Sequence, residues 1–244
     1  SGLPDFRGED GLWETVDPAT FSTATFETRP AGFWAEWQAL YDRLLADVDL
    51  EPNPAHVALA ELVQSGTIDA IVTQNADGLH QAAGADAETV IELHGNATRA
   101  QCRDCGFTEP TEDTLERFDG ASPPDCPDCG GRLKPDAVLF GERLPREAVN
   151  RVRAEVALAD LLLVVGTSLS VEPAASLPAQ AVETGATVIV NDVAATPIDD
   201  LADRRIDRPA ESFLPALVEA IEAHPASGAE GSRSSDTTGD PFER

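Results

Sequence analysis

Methionine is absent from all 244 residues, the first position included, and lysine occurs once, as Lys134. A chain opening Ser1-Gly2-Leu3-Pro4-Asp5-Phe6-Arg7-Gly8 without methionine reads as N-terminally incomplete or processed. No run of about 20 apolar residues occurs, so no helical membrane span is expected, and no signal-type leader opens the chain. Positive charge is scarce: 17 basic residues face 44 acidic ones, a net charge of −27. A surface of that sign repels nucleic-acid phosphates and anionic lipid, so neither nucleic acid nor membrane is an expected partner. It suits solubility in concentrated salt, where screening weakens self-repulsion. A salt-accumulating cytoplasm and a halophilic, monomeric protein are the expectations.

What is present is a globular pattern. The length fits one large domain or a domain with an insert, and 42% apolar residues suffice for a core. Phe33, Trp34, Trp37, Leu40, Tyr41, Leu44, Leu45 and Val48 recur at helical spacing, a stripe that reads as core packing rather than a binding box. Asn53-Pro54 supplies an N-cap and a first-turn proline for a helix over 54–65 that stops at Gly66. Apolar β-type runs follow at 68–73, 89–93, 161–165 and 187–190, with helices near 146–157, 173–184 and 211–223. Short apolar strands alternating with helices predict an α/β fold with a parallel sheet covered on both faces. Residues 98–137 break the rhythm, being polar and rich in Pro, Gly and Cys, and should be held by something other than a hydrophobic core. The tail after His224 is low-complexity and reads as disordered.

All four cysteines lie in that insert, as Cys102-Arg-Asp-Cys105, twenty residues, then Cys126-Pro-Asp-Cys129. Two such knuckles present four thiolates to one tetrahedral ion, and zinc is the expected occupant; the alternative, two disulfides, is rare in cytosol. Four thiolates leave no open coordination position, so the zinc should be structural and should supply folding free energy.

The chemistry is expected at the carboxyl ends of the parallel strands, where ligands bind in open α/β sheets. Four polar clusters lie there: Gln74-Asn75-Ala76-Asp77-Gly78-Leu79-His80, His94-Gly95, Gly166-Thr167-Ser168, and Asn191-Asp192. Turn preference alone explains one or two such ends; four together suggest a polar site. His94 on that edge is the general-base candidate, whereas His56 and His80 suit helix packing or capping.

In these segments, together with Lys134-Pro135-Asp136-Ala137-Val138-Leu139-Phe140-Gly141-Glu142, the chain resembles the sirtuins, the silent-information-regulator family of NAD-dependent protein lysine deacylases. The motifs occur in family order over nearly residues 1–223. The resemblance implies a Rossmann-like NAD-binding domain of residues 1–8, 54–97 and 138–223, with a small domain, helical module plus zinc ribbon, of residues 9–53 and 98–137. It implies transfer of acetyl from lysine to ADP-ribose with release of nicotinamide, and acetylated-lysine proteins as substrates. His94 matches the base toward a ribose hydroxyl, and Asn75 and Asp77 match the nicotinamide pocket, Asn75 as a catalytic residue ordering the ribose side, with Gln74 and Ala76 beside them. Phe6 and Arg7 match the loop over the cofactor; Gly166, Thr167, Ser168 and Asn191 match adenosine contacts. Val138, Phe140, Gly141 and Val171 match a cleft where the peptide adds as a strand.

Three features depart from the family. Its Gly-Ala-Gly-x-Ser phosphate turn does not occur in the sequence, Ala76 replaces a larger aliphatic residue, and the Tyr-x-x-Arg pair of enzymes acting on acidic acyl groups has no match, Trp37 and Leu40 standing nearest. The alternatives are an ADP-ribosyltransferase using the same NAD site and a non-enzymatic zinc-ribbon module.

Overall fold

Helix signals in the amino-terminal third lead to an aromatic layer. The structure, a computed structural model, describes residue 3, residues 11–46 and residues 50–224. Helices α1 (Leu12–Thr15), α2 (Thr23–Thr28) and α3 (Pro30–Tyr41) follow one another, and a π-helical turn, Asp42–Ala46, extends α3. The side chain of Ser22 caps α2 by accepting from the Thr25 N–H. The aromatic stripe is core, as expected: Phe33 and Trp34 are fully buried, with Phe33 stacked on Trp37 and edge-on to Phe26.

Helix α4 (Pro54–Gln64) starts where the sequence places it. Asn53 accepts from the Ala55 and His56 N–H groups, and His56 Nδ1 accepts from the Asn53 N–H, closing a capping box. Strand β1 (Ile71–Thr73) then leads through α5 (Leu79–Ala82) to β2 (Val90–Glu92), which pairs with it in parallel. The insert consists of β3 (Arg99–Cys102), β4 (Thr108–Pro110), α6 (Thr111–Glu116) and β5 (Leu133–Pro135), with β3 antiparallel between β4 and β5. The α/β rhythm resumes with α7 (Arg146–Leu158), β6 (Leu161–Val165), α8 (Leu177–Thr184), β7 (Thr187–Asn191), β8 (Arg204–Ile206) and α9 (Ala210–Ala223); β6, β7 and β8 are parallel neighbours.

One expectation, that for the insert, needs correction. Among the described residues the parallel strands are hydrogen-bonded in two groups, β1–β2 and β6–β7–β8. They nevertheless share a core, in which Val72, Ile91 and Leu93 pack with Val164, Val188 and Val190. The insert, for its part, does have a hydrophobic anchor. Ala100, Cys102, Leu115, Cys126 and Leu133 lie in one buried cluster with Phe21, Phe26, Phe33, Trp34, Trp37 and Tyr41. The insert's own sequence hides this because its apolar partners come from α2, α3 and the turn preceding them.

Candidate active site

The polar strand ends meet around His94. Strand β2 ends at Glu92, and the following turn needs Gly95 in the left-handed region, φ +67°, where a Cβ would collide with the Asp136 carbonyl oxygen. That close approach places His94 between two segments. Its Nδ1 is 2.9 Å from the Gln74 carbonyl oxygen, just beyond β1, and its own carbonyl accepts from the Val138 N–H at 2.8 Å. A carbonyl oxygen only accepts, so Nδ1 carries a proton and Nε2 of the half-buried ring is the nitrogen left to act as a base.

Gln74 also joins the two strand groups, its Nε2 donating to Thr167 Oγ1 at 3.1 Å. Asn75 is exposed beside it, with its N–H on Thr73 Oγ1. Ala76 packs against the aromatic cluster, and its carbonyl accepts from Ala97 N–H. Asp77 is buried; its Oδ1 accepts from the Leu79 N–H at 2.9 Å, while Oδ2 makes no hydrogen bond within the described residues. A carboxylate oxygen left open in a buried side chain suits a ligand N–H donor.

Past β6, Gly166 turns with φ +55° and donates its N–H to the Asn191 carbonyl. Thr167 is half-buried, and Ser168 is exposed with its hydroxyl on that of Ser170. Asn191 is 1% exposed; its Nδ2 donates to the carbonyls of Ile206 and Arg208, while its buried Oδ1 has no partner among the described residues. Phe6 and Arg7 lie outside the described residues.

The cleft segment is built on the only lysine. Lys134 Nζ donates to the Pro135 and Ala137 carbonyls at 2.7 and 2.8 Å and to Glu142 Oε2 at 3.1 Å. The same Glu142 oxygen accepts from the Leu139 N–H. These bonds close the turn carrying Val138, Phe140 and Gly141. Phe140 exchanges backbone hydrogen bonds with Phe21 and Thr23, and Gly141, exposed with φ +82°, has no acceptor for its N–H among the described residues. Val171 stands half-buried on the loop after β6.

One network was invisible in the sequence. Arg99 of β3 bridges Glu92 of β2 and Asp136 of the cleft segment, at 2.6 Å to each, while Asn96 and Gln81 donate to the other Glu92 oxygen. Burial alone would raise the Glu92 carboxyl, but the bonds from Arg99, Asn96 and Gln81 outweigh it and hold the group below its usual range. Only the spacing of Glu92 and Arg99 was available as a signal, and their pairing depends on β3 turning back.

In the insert, the four cysteine sulfurs lie within 4.8 Å of one another, with Cys102–Cys129 and Cys105–Cys126 at 3.6 and 3.7 Å. A disulfide needs about 2.0 Å, whereas the edge of a tetrahedron with Zn–S bonds near 2.3 Å is about 3.8 Å. N–H groups of Asp104 and Gly131 point at Cys102 and Cys129 sulfurs, as thiolates require. The donor set and spacing fit one structural zinc.

A family model described as Sir2 family matches residues 1–173. The NAD-dependent protein deacetylase of Haloarcula marismortui is 45% identical over 223 residues, which cover 91% of this chain and 85% of the relative. The chain belongs to the Sir2 family. Among solved structures, a Sir2 protein with a p53 peptide and NAD+ superposes with a TM-score of 0.76 at 33% identity, covering 91% of this chain and 88% of that one. A Sir2 variant holding deacetylated p53 peptide and 3′-O-acetyl-ADP-ribose gives 0.78 at 34% identity, over 90% and 87%. These matches bear out the Rossmann-like parallel architecture with its cysteine-bearing module.

Proposed function

We propose that the chain is an NAD-dependent protein lysine deacetylase, transferring acetyl from lysine to ADP-ribose with release of nicotinamide. The observation that carries this reading is the His94 tautomer: with Nδ1–H on the Gln74 carbonyl, Nε2 is a fixed general base at the strand ends. NAD, when bound, supplies the ribose carbon whose bond to nicotinamide breaks and the hydroxyl that takes the acetyl group. Asp77 Oδ2 would accept from the carboxamide, with Asn75, Gln74 and Ala76 beside it. Gly166, Thr167, Ser168 and Asn191 would meet the adenosine half, Asn191 also pinning the end of β7 to the segment after β8. His94 Nε2 would take the proton of a ribose hydroxyl. Val138, Phe140, Gly141 and Val171 would receive the acetylated peptide as an added strand, and the Gly141 N–H, without an acceptor among the described residues, favours this. Phe6 and Arg7 would cover the cofactor.

The division into an NAD-binding domain of residues 1–8, 54–97 and 138–223 and a small domain of residues 9–53 and 98–137 agrees with the separate aromatic cluster shared by α2, α3 and the insert. No helix among the described residues is long and apolar enough to cross a membrane. The proposal includes a monomer in a salt-rich cytoplasm that does not bind nucleic acid, supported by the charge of −27, which opposes self-association and phosphate binding alike. Incubation with NAD and an acetylated peptide tests the proposal. Nicotinamide and free lysine are expected; ADP-ribose on the protein acceptor would favour the transferase alternative instead.

A further inference from the structure

Six of the fourteen described cations are neutralised by carboxylates. Arg99, Arg103, Arg117, Arg151, Arg205 and Lys134 all have carboxylate partners. Among the described residues eight arginines have none, and of these Arg146 and Arg153 come together in one groove. The groove measures about 540 Å³, and its other walls are Leu144, Val149, Asn150 and Pro173. The two arginines stand seven residues apart on one face of α7, about 10 Å along its axis, and among the described residues no acidic one lines the groove with them. Glu147 and Glu172 are exposed nearby and pair with neither arginine. Two of its residues stand close in sequence to the segments assigned above to the peptide: Leu144 follows Gly141 by three residues, and Pro173 follows Val171 by two.

We propose that this groove reads acidic side chains flanking the acetyl-lysine, so that the substrates are acidic protein segments. The inference rests on the peptide cleft of the preceding section and adds its selectivity. Guanidinium forks match carboxylates in two parallel hydrogen bonds, and free guanidinium groups in a strongly negative surface are where an acidic peptide escapes general repulsion. Three residues of chain span at most about 10 Å, and an extended peptide advances about 3.3 Å per residue. Carboxylates about three and six residues from the acetyl-lysine, on one side of it, are therefore the ones proposed to meet Arg146 and Arg153.

The test compares four labelled acetyl-lysine peptides: one neutral, one basic, and two with Asp at the third and sixth positions, on the N-terminal or the C-terminal side. Binding is read by fluorescence anisotropy in the presence of NAD, and turnover in parallel. One acidic peptide should bind about 3- to 20-fold more tightly than the neutral one at low salt. The preference should shrink at 1 M salt, where the Debye length is about 3 Å. Arg146→Gln/Arg153→Gln should bring the acidic-to-neutral ratio to about one, whereas Arg132→Gln/Arg204→Gln, which removes two exposed charges elsewhere, should preserve it. Equal binding of acidic and neutral peptides, or a ratio unchanged in the groove variant, overturns the proposal. Failure of the deacetylase reading would appear separately, as no turnover of any peptide, and the anisotropy ratios would still decide the groove.

Discussion

His94 donates its Nδ1 proton to the Gln74 carbonyl across 2.9 Å, tying the end of β2 to the end of β1 and leaving Nε2 as the basic nitrogen. Because the partner is backbone, no side-chain substitution elsewhere supplies this orientation. His94→Ala should lower turnover about 10²- to 10⁴-fold, the usual worth of a positioned base. Thermal unfolding should change little, since the ring is only half-buried. Steady-state kinetics alongside melting curves check this, and a near-normal turnover would return His94 to a structural role.

Lys134 should matter for substrate affinity without touching substrate. Its buried ammonium satisfies two carbonyls and Glu142 beneath the segment carrying Phe140 and Gly141. Burial pulls its pKa down and the Glu142 carboxylate opposes that shift. Removing one partner of such a pair costs about 3 to 5 kcal/mol, so Lys134→Met should lower the melting temperature. In whatever folded fraction remains, peptide KM should rise more than kcat falls. Lys134→Arg, which keeps the charge, should recover part of the KM effect.

Metal removal gives a third expectation. Pure reduced protein should contain one zinc per chain, held by Cys102, Cys105, Cys126 and Cys129. Cys126→Ala should abolish it and loosen the insert, and because Cys126 and Leu133 share the aromatic cluster, activity should fall indirectly. Elemental analysis showing no zinc would contradict the site.

Stability should fall on mild acidification. His80 is pushed down to about 4 by burial, with neighbouring His56 adding to the depression and Asp77 opposing it. The rings lie 4.9 Å apart, and His80 Nδ1 is buried without a partner. His56 is also lowered by its burial, against the pull of Asp77 and Glu211. Between about 6.5 and 4 the unfolded histidine binds the proton that the folded one refuses, so stability is full above the upper value and is lost as pH falls. Up to roughly 3 kcal/mol is at stake for His80. Denaturant melts from pH 7 to 5 should show the slope, and His80→Gln should flatten it.

Acyl choice follows from α3. Trp37 is locked in the aromatic core, Leu40 packs against it, and Tyr41 is buried and pushed up to about 12, by burial first and by Glu112 next. No arginine lies between Pro30 and Tyr41, and Arg43 is exposed. A succinyl carboxylate would then enter an apolar site unpaired, costing several kcal/mol. We expect kcat/KM for a succinylated peptide to be at least about tenfold below that for its acetylated twin. The reverse order would mean that a basic residue reaches the channel.

Local signals carried most of the fold. Asn53-Pro54 and the uninterrupted Leu161–Val165 run announce their elements directly, and the observed α4 and β6 begin at those residues. Strand β8 was missed because Arg204 and Arg205 give an edge strand no apolar run; Arg205 pairs with Asp199 instead. The four cysteines were legible because metal geometry imposes its spacing on sequence. The Glu92–Arg99–Asp136 network and the Lys134 anchor were not, since neither is periodic and each joins segments that only the folded insert brings together. The burial of Asn191 was equally hidden: its partners, the carbonyls of Ile206 and Arg208, are fifteen and seventeen residues on.

The most direct test is the fate of the acetyl group. The protein is mixed with NAD and an acetyl-lysine peptide, and peptide, nicotinamide and ADP-ribose products are followed by mass spectrometry in the same reaction. The account predicts one nicotinamide for each lysine freed, with the acetyl group recovered on ADP-ribose, and loss of that transfer in His94→Ala. Nicotinamide released while the peptide keeps its acetyl group and the protein acceptor gains ADP-ribose would contradict it.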